Sequence, residues 1–174
     1  MKSRNAFVLS TLATVLLAGC AAVELDSPPA AVAALEAKSG STVAGKVSFF
    51  AMTNGVRIEA QVSGLMPGEH GFHVHELGDC SAPDASSAKG HFNPAATAHG
   101  SHAAAEHHGG DMPNLVANAQ GEASYRVELK GVALGGPNGI VGRSVVVHAD
   151  PDDYKSQPAG NSGKRIACGR IAGR

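Results

Sequence analysis

Histidine is the residue type with the most chemical potential in this sequence, and nine histidines occur among its 174 residues. Two of them, His73 and His75, lie two positions apart in a largely apolar run. Side chains two positions apart on a β-strand point to the same face, so both imidazoles can reach one metal ion. A strand can also carry such a pair by chance, so the prediction of a metal site needs further ligands.

A second group of possible ligands lies between positions 91 and 111. Three imidazoles and one carboxylate form a closed set of four ligands, which is typical of structural zinc. The glycines at positions 100, 109 and 110 would let the chain fold back around the ion. The alternative is a solvated, histidine-rich loop with adventitious metal affinity. The four residues are His91, His99, His108 and Asp111.

The elements that would position these side chains are predicted to be β-strands. Apolar and polar residues alternate along 56–63 and 122–130, as in half-buried antiparallel strands. The Asn54-Gly55 pair predicts a hairpin, and further strands fit 43–52, 72–76, 115–118, 144–148 and 165–171. We expect an all-β Greek-key sandwich or flattened barrel of about eight antiparallel strands. Two long segments, 77–113 and 149–164, are predicted to be functional loops.

His148 ends an apolar strand, and a buried core histidine would explain that position equally well. The strand by itself therefore does not identify His148 as a ligand.

The amino-terminal residues predict export. Lys2 and Arg4 precede an apolar run that is too short to span a membrane, so residues 1–19 are interpreted as a cleaved signal peptide. The ending at 17–20 resembles the lipobox of bacterial lipoproteins, which implies a lipid on Cys20 and a membrane anchor. The alternative is a plain signal peptide with a chance cysteine. Ala21 resembles the class that is sorted to the outer membrane.

The mature chain is predicted to consist of a tether and one domain. Residues 20–40 are rich in Ala, Ser and Pro and predict a flexible tether that reaches about 25 Å, in which 30–38 could form a transient helix. Residues 41–174 are the predicted domain. Without the signal the formal charge is 12 minus 15, or −3, and no basic run suggests a nucleic-acid partner. Cys80 and Cys168 form a candidate disulfide in an oxidising compartment, with two buried free thiols as the alternative.

The order of five short runs carries a family resemblance. Residues 41–171 resemble copper–zinc superoxide dismutases, and the short spacing from His75 to Cys80 resembles the exported bacterial branch. Such a resemblance implies an enzyme of the cell envelope that dismutates superoxide to dioxygen and hydrogen peroxide, with one copper and one zinc ion per subunit. The runs are residues 71–76, 90–94, 108–111, 146–148 and 165–169.

The resemblance also implies the roles of individual residues. The copper ligands would be His73, His75, His91 and His148, and the zinc ligands would be His91, His99, His108 and Asp111. His91 would bridge both ions and act in catalysis. Arg165 would guide the superoxide anion, Asp152 would tie His73 to His99, His70 would be a buried structural histidine, and Cys80 would be bonded to Cys168. His102 and His107 match nothing essential in the family.

Some features depart from the family pattern or leave alternatives open. Lys155 and Lys164 are candidates for steering the substrate, but ordinary surface lysines fit as well. A metal-binding lipoprotein that carries copper without catalysis is the first alternative function, and an adhesive lipoprotein on the same fold is the second. A homodimer is left open, because the sequence reveals no interface.

Overall fold

The computed structural model describes residues 27–174, and the chain over this range is an all-β domain. The predicted Cys20 anchor and the signal segment lie outside the described residues. Ten strands run from β1 (Ala31–Ala37) through β2 (Ala44–Met52), β3 (Gly55–Ser63), β4 (Gly68–His70), β5 (Phe72–His75), β6 (Leu115–Ala117), β7 (Ala123–Lys130), β8 (Ser144–His148) and β9 (Arg165–Arg170) to β10 (Ala172–Gly173).

The strands form one large antiparallel sheet and one small one. The large sheet has the order β5-β8-β9-β1-β2-β3-β7, with β10 paired to β1, and β4 pairs with β6 in the second sheet. The predicted hairpin is confirmed, since β2 and β3 pair along their whole length and Met52 lies opposite Gly55. The turn itself is formed by residues 53 and 54. One continuous core includes Phe49, Ile58 and Leu115, so the predicted all-β sandwich or flattened barrel is confirmed.

The prediction of a flexible tether over residues 20–40 is wrong for residues 31–37, which form strand β1. Ala31, Ala33 and Leu35 are buried in the core, and β1 pairs with β2, β9 and β10. A transient helix over 30–38 is wrong for the same reason. Because alanine is small, the alternation of buried and exposed positions along β1 shows little hydrophobic contrast in the sequence. The folded domain therefore begins before residue 41.

The strands that carry the candidate copper ligands pair directly with each other. In the antiparallel pair β5–β8, His73 lies opposite Val146 and His75 lies opposite Ser144. The pairing of β8 with β9 shifts register between Val147 and His148. Such an irregularity bends a strand and re-aims a side chain, and here it lies at the last residue of β8.

The two long loops were predicted correctly in extent, with one short exception. Residues 86–88 form a single 3-10 turn inside the first loop, Ser86–Ala88. A disulfide between Cys80 and Cys168 joins this loop to β9, and the two residues are 88 positions apart in the chain. Within residues 27–174, no helix is long and apolar enough to cross a membrane.

Candidate metal centre

Four histidines from two strands and one loop meet in the interior. His73 and His75 are fully buried on β5, and His148 is buried at the end of β8. His91 joins them because its main chain forms a β-bridge with His75 at the start of the first loop. Ligand atoms of His73, His75, His91 and His148 all lie within 4.8 Å of one another; we call these four residues the copper group.

A second group of four surrounds the carboxylate of Asp111. Nδ1 of His91 lies 2.8 Å from Asp111 Oδ1, Nδ1 of His99 lies 3.1 Å away, and Nδ1 of His108 lies 3.3 Å away. The Nδ1 atoms of His108 and His91 are 3.4 Å apart. Four ligands at 2.0–2.1 Å from a tetrahedral ion would be separated by roughly 3.3 Å. The spacing of this zinc group, His91, His99, His108 and Asp111, therefore fits a zinc ion.

Three buried ring nitrogens in these groups have no hydrogen-bond partner: His73 Nδ1, His91 Nε2 and His99 Nδ1. Nδ1 of His99 is close to Asp111 Oδ1, but the directions of the two groups do not make a hydrogen bond. Burying a polar atom without a partner is costly. Atoms that are close together and yet unpaired are expected where they share a metal ion, so the residues present fit copper and zinc.

The second nitrogen of each imidazole is directed by a hydrogen bond. Nε2–H of His73 donates to Asp152 Oδ2 at 2.8 Å, and Nδ1–H of His75 donates to the Lys89 carbonyl at 2.9 Å. These bonds leave Nδ1 of His73 and Nε2 of His75 as lone-pair atoms that face the copper group. Such outer contacts fix the tautomer and the ring orientation of a metal ligand.

Asp152 connects the two groups. Its Oδ2 accepts from His73 and its Oδ1 accepts from His99 Nε2 at 2.9 Å, and the residue is 3% exposed. The carboxylate thus links one residue of the copper group to one residue of the zinc group.

Burial keeps the strand histidines of the copper group neutral. It lowers the pKa of His73 to about 4, although the hydrogen bond to Asp152 acts against this shift. Burial also lowers the pKa values of His75 and His148 well below the usual histidine value. Nearby positive charge from Arg165 lowers both of these pKa values further. Neutral imidazoles are the form that binds a metal.

Electrostatics differ on the zinc side because two carboxylates are present. Burial alone would lower the pKa of His99, but the nearby carboxylates of Asp111 and Asp152 outweigh it and raise the pKa to about 9. Burial opposes ionisation of Asp111, and the contacts of its carboxylate with His91 and His99 nevertheless hold its pKa far below the usual range. The pKa of Asp152 is lowered in the same way by His73 and His99.

Arg165 lies beside the copper group at the start of β9. Its Nη1 donates to the Ala85 carbonyl at 2.7 Å, and burial lowers the pKa of its guanidinium. Ala85 belongs to the loop that the disulfide ties to β9, since Cys168 lies three residues after Arg165. The disulfide thus joins the strand that carries Arg165 to the loop whose Ala85 carbonyl holds its guanidinium.

The remaining predicted residues fall outside the two groups. His70 is 3% exposed, and its ring nitrogens lie 2.9 Å from the His148 carbonyl and 2.8 Å from the Met66 carbonyl. His102 and His107 are half-buried in the loop between His99 and His108, and Lys155 and Lys164 are exposed.

Two side chains that sequence reasoning missed hold the main chain around the site. Asn114 exchanges hydrogen bonds with the main chain of Asp152, and Gln157 does so with that of His99. Their partners are 38 and 58 positions away, so no local pattern in the sequence could have indicated these contacts.

Comparison with known proteins gives a consistent family. Residues 43–171 match the family model described as copper/zinc superoxide dismutase. A relative named superoxide dismutase [Cu-Zn] 1, from Aquifex aeolicus, is 46% identical over 133 residues, which cover 73% of this chain and 79% of the relative. An extracellular superoxide dismutase [Cu-Zn] from Brugia pahangi is 42% identical over 151 residues, covering 82% and 75%. The crystal structure of the clock protein EA4 superposes with a TM-score of 0.76 at 36% identity, covering 85% of this chain and 97% of that one.

Proposed function

Because the chain belongs to the copper/zinc superoxide dismutase family, it converts superoxide to dioxygen and hydrogen peroxide with copper and zinc, and we propose which of its residues perform that reaction. The observation that carries the proposal is the sharing of His91 by two four-residue groups with ligand spacing. In this proposal the copper group would hold copper, the zinc group would hold zinc, and His91 would be a ligand that both groups share.

Each part of the site has a separate task in the reaction. When bound, copper supplies the one-electron chemistry that zinc lacks, and zinc supplies a fixed positive charge. Nε2 of His91 faces the copper group without a hydrogen-bond partner, and Nδ1 lies in the zinc group. We expect Nε2 to hold a proton between the two half-reactions and to deliver it to the product. The zinc group keeps the ring in place meanwhile.

Metal analysis combined with a superoxide assay tests these assignments. The protein loaded with both metals should retain one copper and one zinc per chain after dialysis and should dismutate superoxide. A variant His99→Ala should lose zinc and keep copper. Retention of zinc alone, without tightly held copper, would favour the copper-carrying alternative without catalysis and would contradict the proposed copper group.

We assign to Arg165 the task of attracting the substrate. The chain carries a formal net charge of −1, with histidines neutral, and superoxide is an anion, so a positive charge near copper must act locally. Salt screens charges that are farther apart than roughly 8–10 Å, which favours Arg165, whose charge lowers the pKa values of His75 and His148. Lys155 and Lys164 are exposed in the neighbouring loop and would contribute less.

Replacement of this charge tests the assignment. Arg165→Glu should lower the second-order rate by roughly 10–100-fold, the size of steering effects, with copper content unchanged. Arg165→Lys keeps the charge and should lose much less. Rates should be measured at two ionic strengths, because steering weakens with salt. Equal losses of copper and activity would show that Arg165 is structural.

We further propose that the protein is exported and anchored by lipid on Cys20. Support comes from the residue pattern at 17–20 and from the disulfide, which persists in oxidising compartments. A relative named as extracellular agrees with export. Mass spectrometry of the mature protein, expressed in a bacterium, should find acyl chains on Cys20, and Cys20→Ser should be released in soluble form. An unmodified Cys20 would contradict the anchor.

A homodimer is the assembly that we propose for the domain. Leu77 is 44% exposed and Val141 is 40% exposed, and both line one glycine-rich groove. Two partly exposed apolar side chains in one groove are suited to pack against a second copy of this chain. Analytical ultracentrifugation should find a dimer that Val141→Lys dissociates, whereas the exposed Met66→Lys should have no effect. A monomeric wild-type domain would contradict this.

A further inference from the structure

The main chain of His99 is held by a side chain from the second loop. Its N–H donates to Gln157 Oε1 at 2.9 Å, and its carbonyl accepts from Gln157 Nε2 at 2.9 Å. The remaining Nε2 hydrogen reaches the Lys155 carbonyl at 3.2 Å. Only one orientation of the carboxamide satisfies all three contacts, so the side chain is fixed by its partners.

Asp152, which accepts a hydrogen bond from the His99 side chain, is held at its main chain in the same way. The N–H of Asp152 donates to Asn114 Oδ1 at 2.9 Å, and Asn114 Nδ2 donates to the Asp152 carbonyl at 3.1 Å. Both ends of this side-chain bond are therefore fixed at the main chain by a carboxamide from a distant segment. In both pairings, the carboxamide accepts a hydrogen bond from a main-chain N–H and donates one to the carbonyl of the same residue.

Hydrogen bonds within residues 153–160 hold the segment that carries Gln157. The carboxylate of Asp153 accepts from the main-chain N–H groups of Lys155 and Ser156, and Asp153 N–H donates to the Gly160 carbonyl at 2.9 Å. Gly160 has a φ of +66°, and a Cβ there would overlap Asp152 Oδ1 and lie 2.8 Å from His99 Nε2. The segment thus contacts His99 closely and with little room for change.

Other members of the zinc group are positioned differently. His91 forms a β-bridge with His75, and Asp111 forms one with His73, so both are tied to β5 by their main chains. The main-chain N–H of His108 is held by the Asp111 carboxylate. For His99 the corresponding contacts come from Gln157, which belongs to a loop outside the zinc group.

We propose that Gln157 is a positioning residue for zinc: by holding the main chain of His99, it keeps Nδ1 of that histidine directed at the other zinc ligands. The inference rests on the zinc ligands proposed above. Loss of Gln157 should speed zinc release, because the main chain of His99 would lose both of the hydrogen bonds that fix it. Copper should be unaffected, since the copper group contains neither His99 nor any residue that Gln157 contacts.

Three variants of the metal-loaded protein test this proposal. Gln157→Met keeps the length of the side chain and removes the hydrogen bonds, and Gln157→Glu keeps the acceptor for His99 N–H but loses both donors. Gln120→Met is the matched control, because Gln120 is an exposed glutamine in the turn before β7. The measurements are the rate of zinc transfer to a chromogenic chelator, the absorption of cobalt(II) bound in place of zinc, and the visible absorption of copper.

We expect Gln157→Met to release zinc roughly 10-fold faster, at the lower end of effects for contacts around metal ligands. Gln157→Glu should fall between Gln157→Met and the wild type, and Gln120→Met should match the wild type. The cobalt spectrum should lose tetrahedral intensity in Gln157→Met, while the copper band stays unchanged.

Two outcomes would overturn the proposal, and a third would overturn its premise. Zinc release at the wild-type rate in Gln157→Met would remove the positioning role. Parallel acceleration of zinc and copper loss would show that Gln157 serves the fold in general. If the wild-type protein itself holds no zinc tightly, or if His99→Ala binds zinc as well as the wild type, the zinc ligand set is wrong and the proposal falls with it.

Discussion

The copper group and the zinc group share His91, yet they are built from different kinds of structure. Three copper-group histidines lie on β5 and β8, whereas the zinc group lies wholly in the loop between positions 91 and 111. The copper group consists of imidazoles alone, and the zinc group includes Asp111 and contacts Asp152 through His99. Strand pairing fixes the first group by register, while in the second group His99 depends on side-chain contacts from the other long loop.

This contrast teaches how each site is kept ready for its metal. In the copper group, burial makes the imidazoles neutral, so the nitrogens are available without the release of a proton. On the zinc side, the carboxylates raise the pKa of His99 to about 9, so at the proposed site a proton competes with zinc for this histidine. The zinc group should therefore be the more sensitive to loop mutations and to pH.

The largest difference between the two groups is expected when a copper-group histidine on a strand is removed. His148→Ala deletes one of four copper-group imidazoles and should lower copper affinity by more than about 100-fold, beyond the usual effect of outer contacts, and activity should be lost. Zinc affinity should change little, because His148 is not in the zinc group. Competition titrations with each metal measure both effects. Val145→Ala, on the same strand, controls for loss of core packing, and equal loss of both metals in His148→Ala would contradict the separation.

Replacement of the connecting carboxylate should show which group depends more on loop contacts. Asp152→Asn places an amide NH₂ against one of two imidazole N–H groups, so one of the hydrogen bonds is lost. We expect zinc affinity to fall roughly 10–100-fold, as for other outer contacts of metal ligands. Copper affinity should fall less, because β5 still holds His73. Asp150→Asn, at an exposed position in the same loop, is the control; a larger loss of copper than of zinc would reverse our ranking.

The pH dependence of metal binding should sharpen the contrast. The raised pKa of His99, about 9, means that His99 is largely protonated at neutral pH in the metal-free protein. Zinc must displace that proton, so zinc affinity should rise by up to about 10-fold per pH unit between pH 7 and 9. The pKa of His73 is lowered to about 4, so copper affinity should be nearly constant over that range. Separate titrations of zinc and copper at three pH values test this, and equal slopes would contradict it.

The smallest effect is expected at Asn114. Asn114→Ala leaves the main-chain N–H and carbonyl of Asp152 without their partners, which should lower the free energy of unfolding by about 1–3 kcal/mol. Zinc affinity should fall by less than about 10-fold, with copper affinity unchanged. Urea denaturation and zinc competition measure these quantities. Asn138→Ala, in an exposed loop, is the control, and a greater loss of copper than of zinc would be inconsistent with the loop dependence of the zinc group.

Much of the fold and of the site could be predicted because the signals are local. Alternation along β3 and β7 is visible in the sequence, and the spacing of His73 and His75 places both on one strand face. The two long loops were recognised by the absence of such periodicity. For His148 the strand alone was ambiguous, and the order of the five runs was needed to propose a ligand.

The features that the sequence did not reveal depend on contacts between distant positions. Strand β1 was missed because its buried alanines lack hydrophobic contrast, and it joins the sheet by pairing with β2, β9 and β10. Asn114 and Gln157 are ordinary polar loop residues until the loops meet. The register shift at His148 was also missed, since it belongs to the pairing of β8 with β9 and not to either strand.

The early start of β1 has a consequence for a lipid-anchored protein. If Cys20 carries the anchor proposed above, only ten residues separate it from Ala31, where the sheet begins. The contour length of ten residues is at most about 33–36 Å, comparable to the diameter of a domain of this size, whose radius of gyration is about 14 Å. The enzyme would then be confined to a thin layer above the bilayer, where it could intercept superoxide close to the lipid and would leave more distant solvent unprotected.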